Sequence, residues 1–339
     1  MKLGITGLPK SGKTTVFEVL TQSFSETRRK MEHRIGTIKV PDQRVDILGE
    51  MYKPKKTVLA QVEYYLPGKM AKKKDQIWNQ VRDSDALIHV IRNFEAYGQE
   101  KQAPVEDFYQ ADQELMLADQ MVVEKRLENL RAEKKRGRKV DQEEFGLLEQ
   151  CLEQLESETP LRKIPELASA HALKGFTFLS AKPVLVLFNN GDESNEFPDL
   201  KDLVEKEDCM VIRAKLEHEI AQMSEEDASD FLEEYQIKAL AVDRIIEKSY
   251  DLLGLISFFT VGEDEVRAWT IRKGTLAIDA AEVIHSDIKK GFIRAEVLCY
   301  NDLMDAGNYQ EAKKKGNVRL EGKNYLVKNG DIINFRFNV

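Results

Sequence analysis

The spacing of apolar residues divides the chain into a region of alternating strands and helices, a long helical segment and a region of short strands. In the first region, apolar runs typical of strands are separated by segments with apolar residues three or four positions apart, as in amphipathic helices. The predicted strands are residues 2–6, 37–41, 57–65, 86–91 and 184–188, followed by one that begins at residue 211. Strands that alternate with helices predict an α/β fold with a doubly wound sheet.

Residues 110–157 predict a helical hairpin inserted into this alternation. Val123, Leu127 and Leu130 form one narrow apolar stripe, and a second stripe follows Gly137. The second stripe consists of Phe145, Leu148, Leu152 and Leu155. Stripes of this width are typical of coiled coils, so we expect two antiparallel helices that turn at Gly137.

The predicted turn of this hairpin is strongly basic. Between residues 125 and 139, two glutamates accompany eight basic residues: Lys125, Arg126, Arg131, Lys134, Lys135, Arg136, Arg138 and Lys139. Two interpretations stay open at this point. The cations form a solvated helix end, or they form a patch that contacts the phosphate backbone of RNA.

After about residue 256, short β runs punctuated by glycines surround a helix at residues 280–285. This pattern predicts a small α+β domain with a roughly ββαβ, grasp-like layout. On its surface, Lys289, Lys290 and Arg294 with Phe292 interleaved are either a candidate RNA contact or a solvated edge strand. The predicted domains are a nucleotide-binding domain at 1–109 and 172–255, a helical arm at 110–171 and the small domain at 256–339.

The strongest chemical signal is a stretch near the N-terminus that fits the phosphate-binding pattern G-x-x-x-x-G-K-T. A predicted strand precedes it and a predicted helix follows it, which is the context that such a loop needs. Its glycines let backbone N–H groups point at phosphate oxygens. We expect Lys13 to reach the β- and γ-phosphates and Thr14 to bind Mg²⁺. After Gly7 and Leu8, the predicted nucleotide-binding residues are Pro9, Lys10, Ser11, Gly12, Lys13, Thr14 and Thr15.

A second loop, after the predicted strand 184–188, is positioned to bind the base of the nucleotide. Asn189 and Asp192 have the spacing of the guanine-binding pattern N-K-x-D, with Asn190 in place of the lysine. Ala214 follows the next predicted strand and is similar to the alanine of an S-A-K loop, which also packs on the base. A polar turn after a strand is the alternative interpretation.

Two further residues are candidates for roles near the phosphates. Glu63 is the predicted carboxylate that orients Mg²⁺ through water, although the expected D-x-x-G pattern is incomplete around it. His89 interrupts an apolar run, so we expect it to be a core histidine rather than a catalytic base. No residue is a convincing general base, and the catalytic residues stay unassigned.

Composition narrows the classes of function. The net charge of −8 argues against nonspecific nucleic-acid binding through overall charge, so an RNA contact needs a local basic patch. The three cysteines have no paired spacing, which indicates a reducing compartment and neither disulfides nor zinc. No apolar run approaches the ~18 residues that span a bilayer, and the N-terminus does not fit a signal peptide. We therefore expect a cytoplasmic protein without a membrane partner.

The chain resembles the YchF / Obg-like ATPase family along its whole length. The resemblance begins in the phosphate loop and in Val40-Pro41-Asp42 with Arg44, and it includes the helical insertion and Asn189-x-x-Asp192. It is most specific in the C-terminal TGS domain of that family. The matching segments there include Val266-Arg267-Ala268-Trp269-Thr270, Lys290-Gly291-Phe292-Ile293-Arg294-Ala295-Glu296, Asn329-Gly330-Asp331 and Phe335-Arg336-Phe337-Asn338-Val339.

The resemblance implies a Ras-like P-loop NTPase domain with an inserted helical arm and a TGS domain of the β-grasp type. It also implies that the chain binds ATP or GTP with Mg²⁺ and associates with the ribosome or RNA, and we expect a monomer. Members of the family hydrolyse ATP as well as GTP or better, because their base loop is N-x-x-E. Asp192 replaces that glutamate here, so both nucleotides stay open and ATP is preferred.

Three departures from the family concern contacts to the γ-phosphate. The threonine of the first switch corresponds to Lys30, with Thr27 as a possible substitute, and the second switch at 68–75 is nearly without glycine. Residues 93–109 lack the histidine that is proposed to act in hydrolysis. The chain is therefore expected to be a divergent member that hydrolyses nucleotide slowly as a regulator of translation. The alternative is a nonhydrolytic nucleotide-binding scaffold on RNA or the ribosome.

Overall fold

The structure, a computed structural model, describes residues 1–24, 33–68, 74–95, 101–200, 203–234, 237 and 240–338. The predictions on Thr27, Lys30 and most of the second switch lie outside these residues. The chain forms two compact units. The first consists of Met1–Thr37 with Glu63–Ile245, and the second of Ile38–Val62 with Ile246–Val339.

The described residues form two six-stranded sheets and a set of helices. The strands are β1 (Lys2–Thr6), β2 (Arg34–Lys39), β3 (Lys56–Val58), β4 (Gln61–Leu66), β5 (Ala86–Asn93), β6 (Val184–Asn190), β7 (Asp208–Ile212), β8 (Leu255–Val261), β9 (Glu265–Arg272), β10 (Phe292–Cys299), β11 (Arg319–Glu321) and β12 (Asp331–Phe337).

The helices of the first half are α1 (Lys13–Thr21), α2 (Gln43–Tyr52), α3 (Lys74–Val81), α4 (Pro104–Lys135), α5 (Gln142–Glu156) and α6 (Pro165–Ala168). Those of the second half are α7 (Leu203–Lys206), α8 (Ala214–Ile220), α9 (Glu225–Glu234), α10 (Ala241–Leu252), α11 (Ala277–Ile284), α12 (Ser286–Lys290), α13 (Tyr300–Ala306) and α14 (Tyr309–Lys314). Two short 3-10 helices are Leu161–Lys163 and His171–Phe176.

The first sheet has the strand order β2-β4-β1-β5-β6-β7. Four neighbouring pairs in this sheet are parallel: β4–β1, β1–β5, β5–β6 and β6–β7. They are buried by helices, and β6 is buried along its whole length. The carboxyl ends of parallel strands meet at one edge, where open α/β sheets bind their ligands. The structure thus confirms the predicted α/β fold and places the ends of β1, β5 and β6 together.

The predicted strand 57–65 is wrong as a single element. It is two strands, β3 and β4, which belong to different sheets. Lys56 pairs with Glu265 of β9, whereas Glu63 pairs with Lys2 of β1. The two-residue break at Leu59 and Ala60 interrupts the β-rich sequence without a glycine or proline, so the composition of the segment gave no sign of it.

The helices α4 and α5 confirm the predicted helical hairpin. Val123, Leu127 and Leu130 of α4 are buried against α5, where Leu148 and Leu155 are buried as well. The second stripe differs in detail from the prediction. Its third buried residue is Cys151, while Phe145 and Leu152 pack only partly against the cluster.

A buried ionic cluster fixes the base of α4 to the sheet. The Arg162 guanidinium donates to both oxygens of Asp112 at 2.7 and 2.8 Å, and to Glu207 at 2.9 Å. All three side chains are less than a tenth exposed. Nearby, Arg82 donates to Asp119 at 2.9 Å. Because buried charges are tolerated only when paired, these contacts hold the first half of α4 against the segments that carry Arg162 and Arg82.

His89 is fully buried in β5 and confirms the predicted core histidine. Its Nδ1 contacts the hydroxyl of Thr6, and its ring packs edge-on against Phe108. Nε2 has no hydrogen-bond partner among the described residues. Burial lowers the pKa of His89 to about 4, and Arg162 acts in the same direction against the nearby carboxylates. The imidazole is therefore neutral within the core.

The second sheet has the order β11-β10-β12-β8-β9-β3 and combines parallel with antiparallel pairs. Its core includes Phe258, Phe335 and Phe292, with α11 packed against it. Phe292 is only 6% exposed. The prediction of an aromatic ring exposed between surface cations is therefore wrong at Phe292. Lys289 also differs from that prediction, because it pairs with Asp279 at 3.0 Å and with Glu282.

Candidate nucleotide-binding site

The loop between β1 and α1 has the backbone conformation that its glycines predict. Gly7 and Gly12 have φ values of +138° and +95°, which L side chains rarely adopt. A Cβ built on Gly7 would lie 2.3 Å from the carbonyl oxygen of Val90. The loop therefore passes so close to β5 that only glycine fits at this position.

Lys13 begins α1, and its side chain folds back over the loop. Its Nζ donates to the carbonyl oxygens of Gly7 and Leu8 at 2.9 and 2.6 Å. This geometry holds the ammonium group beside the N-terminal end of α1, where the helix dipole also favours an anion. The loop and helix together form a positive cradle for phosphate groups.

The other predicted loop residues differ in exposure. Pro9 and Lys10 are exposed, and Thr14 and Thr15 are half-buried in the first turn of α1. Ser11 is 2% exposed, and its Oγ has no hydrogen-bond partner among the described residues. An unsatisfied hydroxyl inside a phosphate loop is a donor available to a ligand oxygen.

Asn189, at the end of β6, connects the phosphate loop to the base loop. Its Nδ2 donates to the Ser11 carbonyl at 3.1 Å, and its Oδ1 accepts from the Ala214 backbone N–H at 3.1 Å. Asn189 is 4% exposed. A Cβ built on Gly12 would lie 2.2 Å from Asn189 Nδ2. The sequence predicted that these segments take part in one site, and the structure brings them into direct contact through Asn189.

The neighbouring polar residues support the base loop in different ways. The Asn190 side chain donates to the carbonyl oxygens of Ser194 and Glu196 at 3.1 and 2.7 Å, so it fixes the loop backbone. Asp192 Oδ2 accepts from Lys215 at 3.0 Å. Its Oδ1 is shielded from solvent and has no hydrogen-bond partner in the described part of the chain. Asp192 therefore keeps one carboxylate oxygen without a donor.

Phe94 is a residue of this edge that the reasoning from chemical motifs missed. It follows β5 directly and is half-buried. A Cβ built on Gly12 would lie 3.9 Å from Phe94 Cε1, and one built on Gly191 would lie 3.9 Å from Phe94 Cβ. The aromatic side chain thus lies between the phosphate loop and the base loop. The available signal was its position, one residue beyond a buried parallel strand.

The strand register corrects the expectation for Glu63. In the parallel pair of β1 and β4, Glu63 lies opposite Lys2, at the start of β1. The phosphate loop begins after Thr6, four residues farther along, which is about 13 Å at the rise of a strand. Glu63 therefore lies at the opposite edge from the phosphates and cannot orient a metal ion there. Counting back from Gly68, the D-x-x-G position of the aspartate is Tyr65, which is 8% exposed and part of the core.

The donor groups beside the phosphate loop fit Mg²⁺ in a limited way. Mg²⁺ usually keeps several waters and takes one or two protein ligands together with phosphate oxygens. Thr14 offers a half-buried hydroxyl at the start of α1. Leu66, Pro67 and Gly68, at the carboxyl end of β4, offer no carboxylate. The residues present thus fit a metal ion held by Thr14, the nucleotide and water.

Comparisons with known proteins find relatives that match this chain along its whole length. The model of the family YchF-GTPase_C, described as a protein of unknown function (DUF933), matches residues 255–338. The Ribosome-binding ATPase YchF of Bacillus subtilis is 38% identical over 361 residues, covering 99% of both chains. That of Haemophilus ducreyi is 36% identical, covering 100% of this chain and 99% of its own.

A solved structure agrees in fold as well as in sequence. The structure of the Schizosaccharomyces pombe YchF GTPase superimposes with a TM-score of 0.84 at 29% identity, covering 99% of this chain and 97% of that one. Within the described residues, no helix is both long and apolar enough to cross a membrane. Full-length similarity at this level of identity is far beyond a shared fold, and the chain belongs to the YchF family.

Proposed function

We propose that the chain binds ATP or GTP with Mg²⁺, hydrolyses it slowly and acts in association with the ribosome. The names of the full-length relatives, Ribosome-binding ATPase YchF, support the ribosome and the nucleotide. The observation that supports the site itself is the contact of Asn189 with both Ser11 and Ala214. This contact holds the phosphate cradle and the base loop next to each other, as a nucleotide that spans them requires.

The residues of the site have separate roles in this proposal. Lys13 and the backbone N–H groups of the loop neutralise the phosphates, and Thr14 binds the metal ion. When bound, Mg²⁺ neutralises charge on the phosphate oxygens. Phe94 offers a flat apolar surface on which a purine stacks, a contact worth about 1–3 kcal/mol per base. Hydrolysis then depends on water positioned by backbone groups, which is consistent with a slow reaction.

Asp192 favours ATP over GTP in this proposal. Guanine presents two donors, its N1–H and its exocyclic amine, to both oxygens of one carboxylate. Here Lys215 already donates to one of these oxygens at 3.0 Å, which makes that oxygen a weaker acceptor for a second donor of guanine. Adenine presents one exocyclic amine at its Watson–Crick edge and needs only one acceptor. The ion pair is exposed and therefore weak, so we expect a preference of a few-fold rather than exclusion of GTP.

The same reasoning extends to the domains. We assign nucleotide binding to residues 1–109 and 172–255, the arm to 110–171 and the TGS domain to 256–339. The family-model match at 255–338 supports the last of these limits. A cytoplasmic location follows from the proposed association with ribosomes.

A second function, a nonhydrolytic nucleotide-binding scaffold, is favoured by one specific observation. Tyr65 is at the position of the D-x-x-G aspartate, and Glu63 lies at the opposite edge of the sheet. Without a carboxylate at the end of β4, the chain has less means to orient the metal and the attacking water. The chain then acts according to whether a nucleotide is bound, without hydrolysing it.

Two measurements test the proposal and separate its two forms. Equilibrium binding of fluorescent ATP and GTP to the wild type and to Lys13→Ala tests the site, and Lys13→Ala should lose at least tenfold in affinity. Single-turnover hydrolysis is then followed with and without purified ribosomes. Phosphate release above background supports the slow enzyme, whereas tight binding without release under both conditions supports the scaffold. Equal binding by the wild type and Lys13→Ala would contradict both.

A further inference from the structure

We propose that the turn of the helical hairpin binds the phosphodiester backbone of RNA. This surface, the arm tip, consists of Lys134, Lys135, Arg136, Arg138 and Lys139, all of which are exposed. The inference deepens the proposed ribosome association by assigning it to a site and to a chemical group. It does not depend on nucleotide binding, so the two can fail separately.

Cations on the shaft of the hairpin, the part of α4 that precedes residue 134, differ from those of the arm tip in their ionic partners. On the shaft, Arg126 donates to both oxygens of Glu144 at 2.7 and 2.9 Å, and Arg131 reaches Glu149 at 3.4 Å. Among the described residues, none of the five arm-tip cations forms an ion pair. Arg126 and Arg131 thus bind helix to helix. At the arm tip, Lys134 lies 6.0 Å from the centre of the Phe145 ring, and no described carboxylate pairs with the five cations.

Local structure accounts for only part of this charge. Lys134 and Lys135 lie in the last turn of α4, where cations complement the helix dipole. Arg138 and Lys139 instead come just before the N-terminus of α5, which Asp141 caps at 2.9 Å. A helix N-terminus disfavours cations, so Arg138 and Lys139 are unfavourable for the fold itself. An anionic ligand offsets this unfavourable interaction at Arg138 and Lys139.

The turn holds these side chains on a rigid support. Gly137 has φ +73°, and its N–H donates to the Lys134 carbonyl at 3.0 Å. Arg138 N–H donates to the Glu133 carbonyl at 3.1 Å. Since α4 has 32 residues, the helix is about 48 Å long, and the turn lies at the opposite end of it from Pro104.

The chemistry of the arm tip indicates which partner it binds. Residues 134–139 contain five cations and a glycine, without an aromatic or an amide side chain that reads a base. Lysine and arginine of this kind position a protein on phosphates and carry little sequence information. The charge is also local, because the whole chain has a net charge of −8. We therefore expect salt-dependent binding to RNA that is independent of sequence.

The chain contains a matched control for this surface. Lys313 and Lys314 end α14, and Lys315 and then Gly316 at φ +78° follow the helix. In the same way, Lys134 and Lys135 end α4, and Arg136 and Gly137 follow it. However, Lys314 pairs with Glu311 at 2.7 Å and Lys315 donates to the Asp305 carbonyl at 3.3 Å. Replacing either triplet with glutamine removes three positive charges at an exposed helix end. Only the arm-tip variant should lose RNA binding.

The experiment measures fluorescence anisotropy of a labelled uridine 20-mer and a 20-base-pair RNA duplex over a range of KCl concentrations. Each phosphate contact contributes about 0.7 to the salt slope on single strands, so Lys134→Gln/Lys135→Gln/Arg136→Gln should lower it by about 2. At 0.1 M salt this corresponds to a loss of about 100-fold in affinity. The charge-conserving Lys134→Arg/Lys135→Arg/Arg136→Lys variant should bind as the wild type does.

Three outcomes would overturn the inference. The first is an arm-tip variant that binds RNA as tightly as the Lys313→Gln/Lys314→Gln/Lys315→Gln control. The second is wild-type protein that does not bind either RNA at 0.05 M salt. The third is tighter, arm-tip-dependent binding to phosphatidylglycerol vesicles, which would assign the surface to a membrane instead. Fluorescent ATP binding by all variants should be unchanged, and its loss in the wild type would contradict the proposed function alone.

Discussion

Replacing Asn189 with alanine tests whether the phosphate loop and the base loop act as one site. The substitution removes both 3.1 Å hydrogen bonds and leaves the Ser11 carbonyl and the Ala214 N–H without their partner. A hydrogen bond contributes about 1 kcal/mol, and an unsatisfied buried group costs about 1–3 kcal/mol. We therefore expect a loss of about 2–4 kcal/mol, shared between folding and binding. If half of it affects binding, the Kd for ATP rises about 5- to 30-fold, at tenfold per 1.4 kcal/mol.

The assay is a titration with fluorescent ATP, paired with urea unfolding of the same samples. Asn93→Ala is the matched control, because Asn93 lies at the same edge and, within the described residues, its Nδ2 donates to Asn190 at 2.9 Å. We expect its ATP affinity to stay within about twofold of the wild type. If Asn189→Ala is less stable yet binds ATP with unchanged affinity, the contact of Asn189 with Ser11 and Ala214 has only a structural role and the reasoning is refuted.

Three further predictions concern the core and the base subsite. Arg162→Met removes the guanidinium that pairs with Asp112, while Glu207 keeps its ion pair with Lys163. Urea unfolding should show a loss of about 3–5 kcal/mol from the unpaired buried carboxylate of Asp112; a change below about 1 kcal/mol would contradict this. Because burial lowers the pKa of His89 from 6.5 to about 4, its protonation favours the unfolded state. In urea unfolding, the free energy of unfolding of the wild type should fall by up to about 3 kcal/mol between pH 6.5 and pH 4. That of His89→Leu should depend less on pH in this window. In titrations, Phe94→Leu should lower the affinity for ATP and GTP alike by about 5- to 100-fold and leave the affinity for inorganic tripolyphosphate unchanged. An equal loss of affinity for tripolyphosphate would mean that the phosphate loop itself has collapsed.

The elements that the sequence predicted well are those whose geometry is decided by neighbouring residues. The phosphate loop needs two glycines with positive φ and a helix start, and all of them lie within residues 7–15. The hairpin is similar, because an apolar stripe and a turn glycine determine which helix faces meet. His89 was also predictable, since a polar residue within a continuous apolar run is carried into the core.

The elements that were wrong depend on contacts between distant segments. Glu63 is in the predicted strand, but its position relative to the phosphates is set by register against β1. A strand of five residues extends about 17 Å, so the chemistry of a residue does not tell which edge it reaches. Phe292 was placed on the surface because cations surround it in sequence. In the structure, the register of β10 shifts between Phe292 and Arg294, and Phe292 is buried on the same side as Ala295. Asn189 reached the phosphate loop across 178 residues of sequence.

In the proposed function, the same difference between local and distant contacts explains why this chain is expected to bind nucleotide yet hydrolyse it slowly. The groups that hold a nucleotide are concentrated in short loops, and the residues around Lys13 and Asn189 retain the required geometry. A carboxylate that orients the metal ion and the attacking water is expected at the end of β4, where the D-x-x-G position of the aspartate is the buried ring of Tyr65. A carboxylate cannot be recovered there by a small shift, because moving β4 by one residue would turn its whole apolar face away from the core. The packing of β4 is therefore compatible with the proposed combination of nucleotide binding and slow hydrolysis.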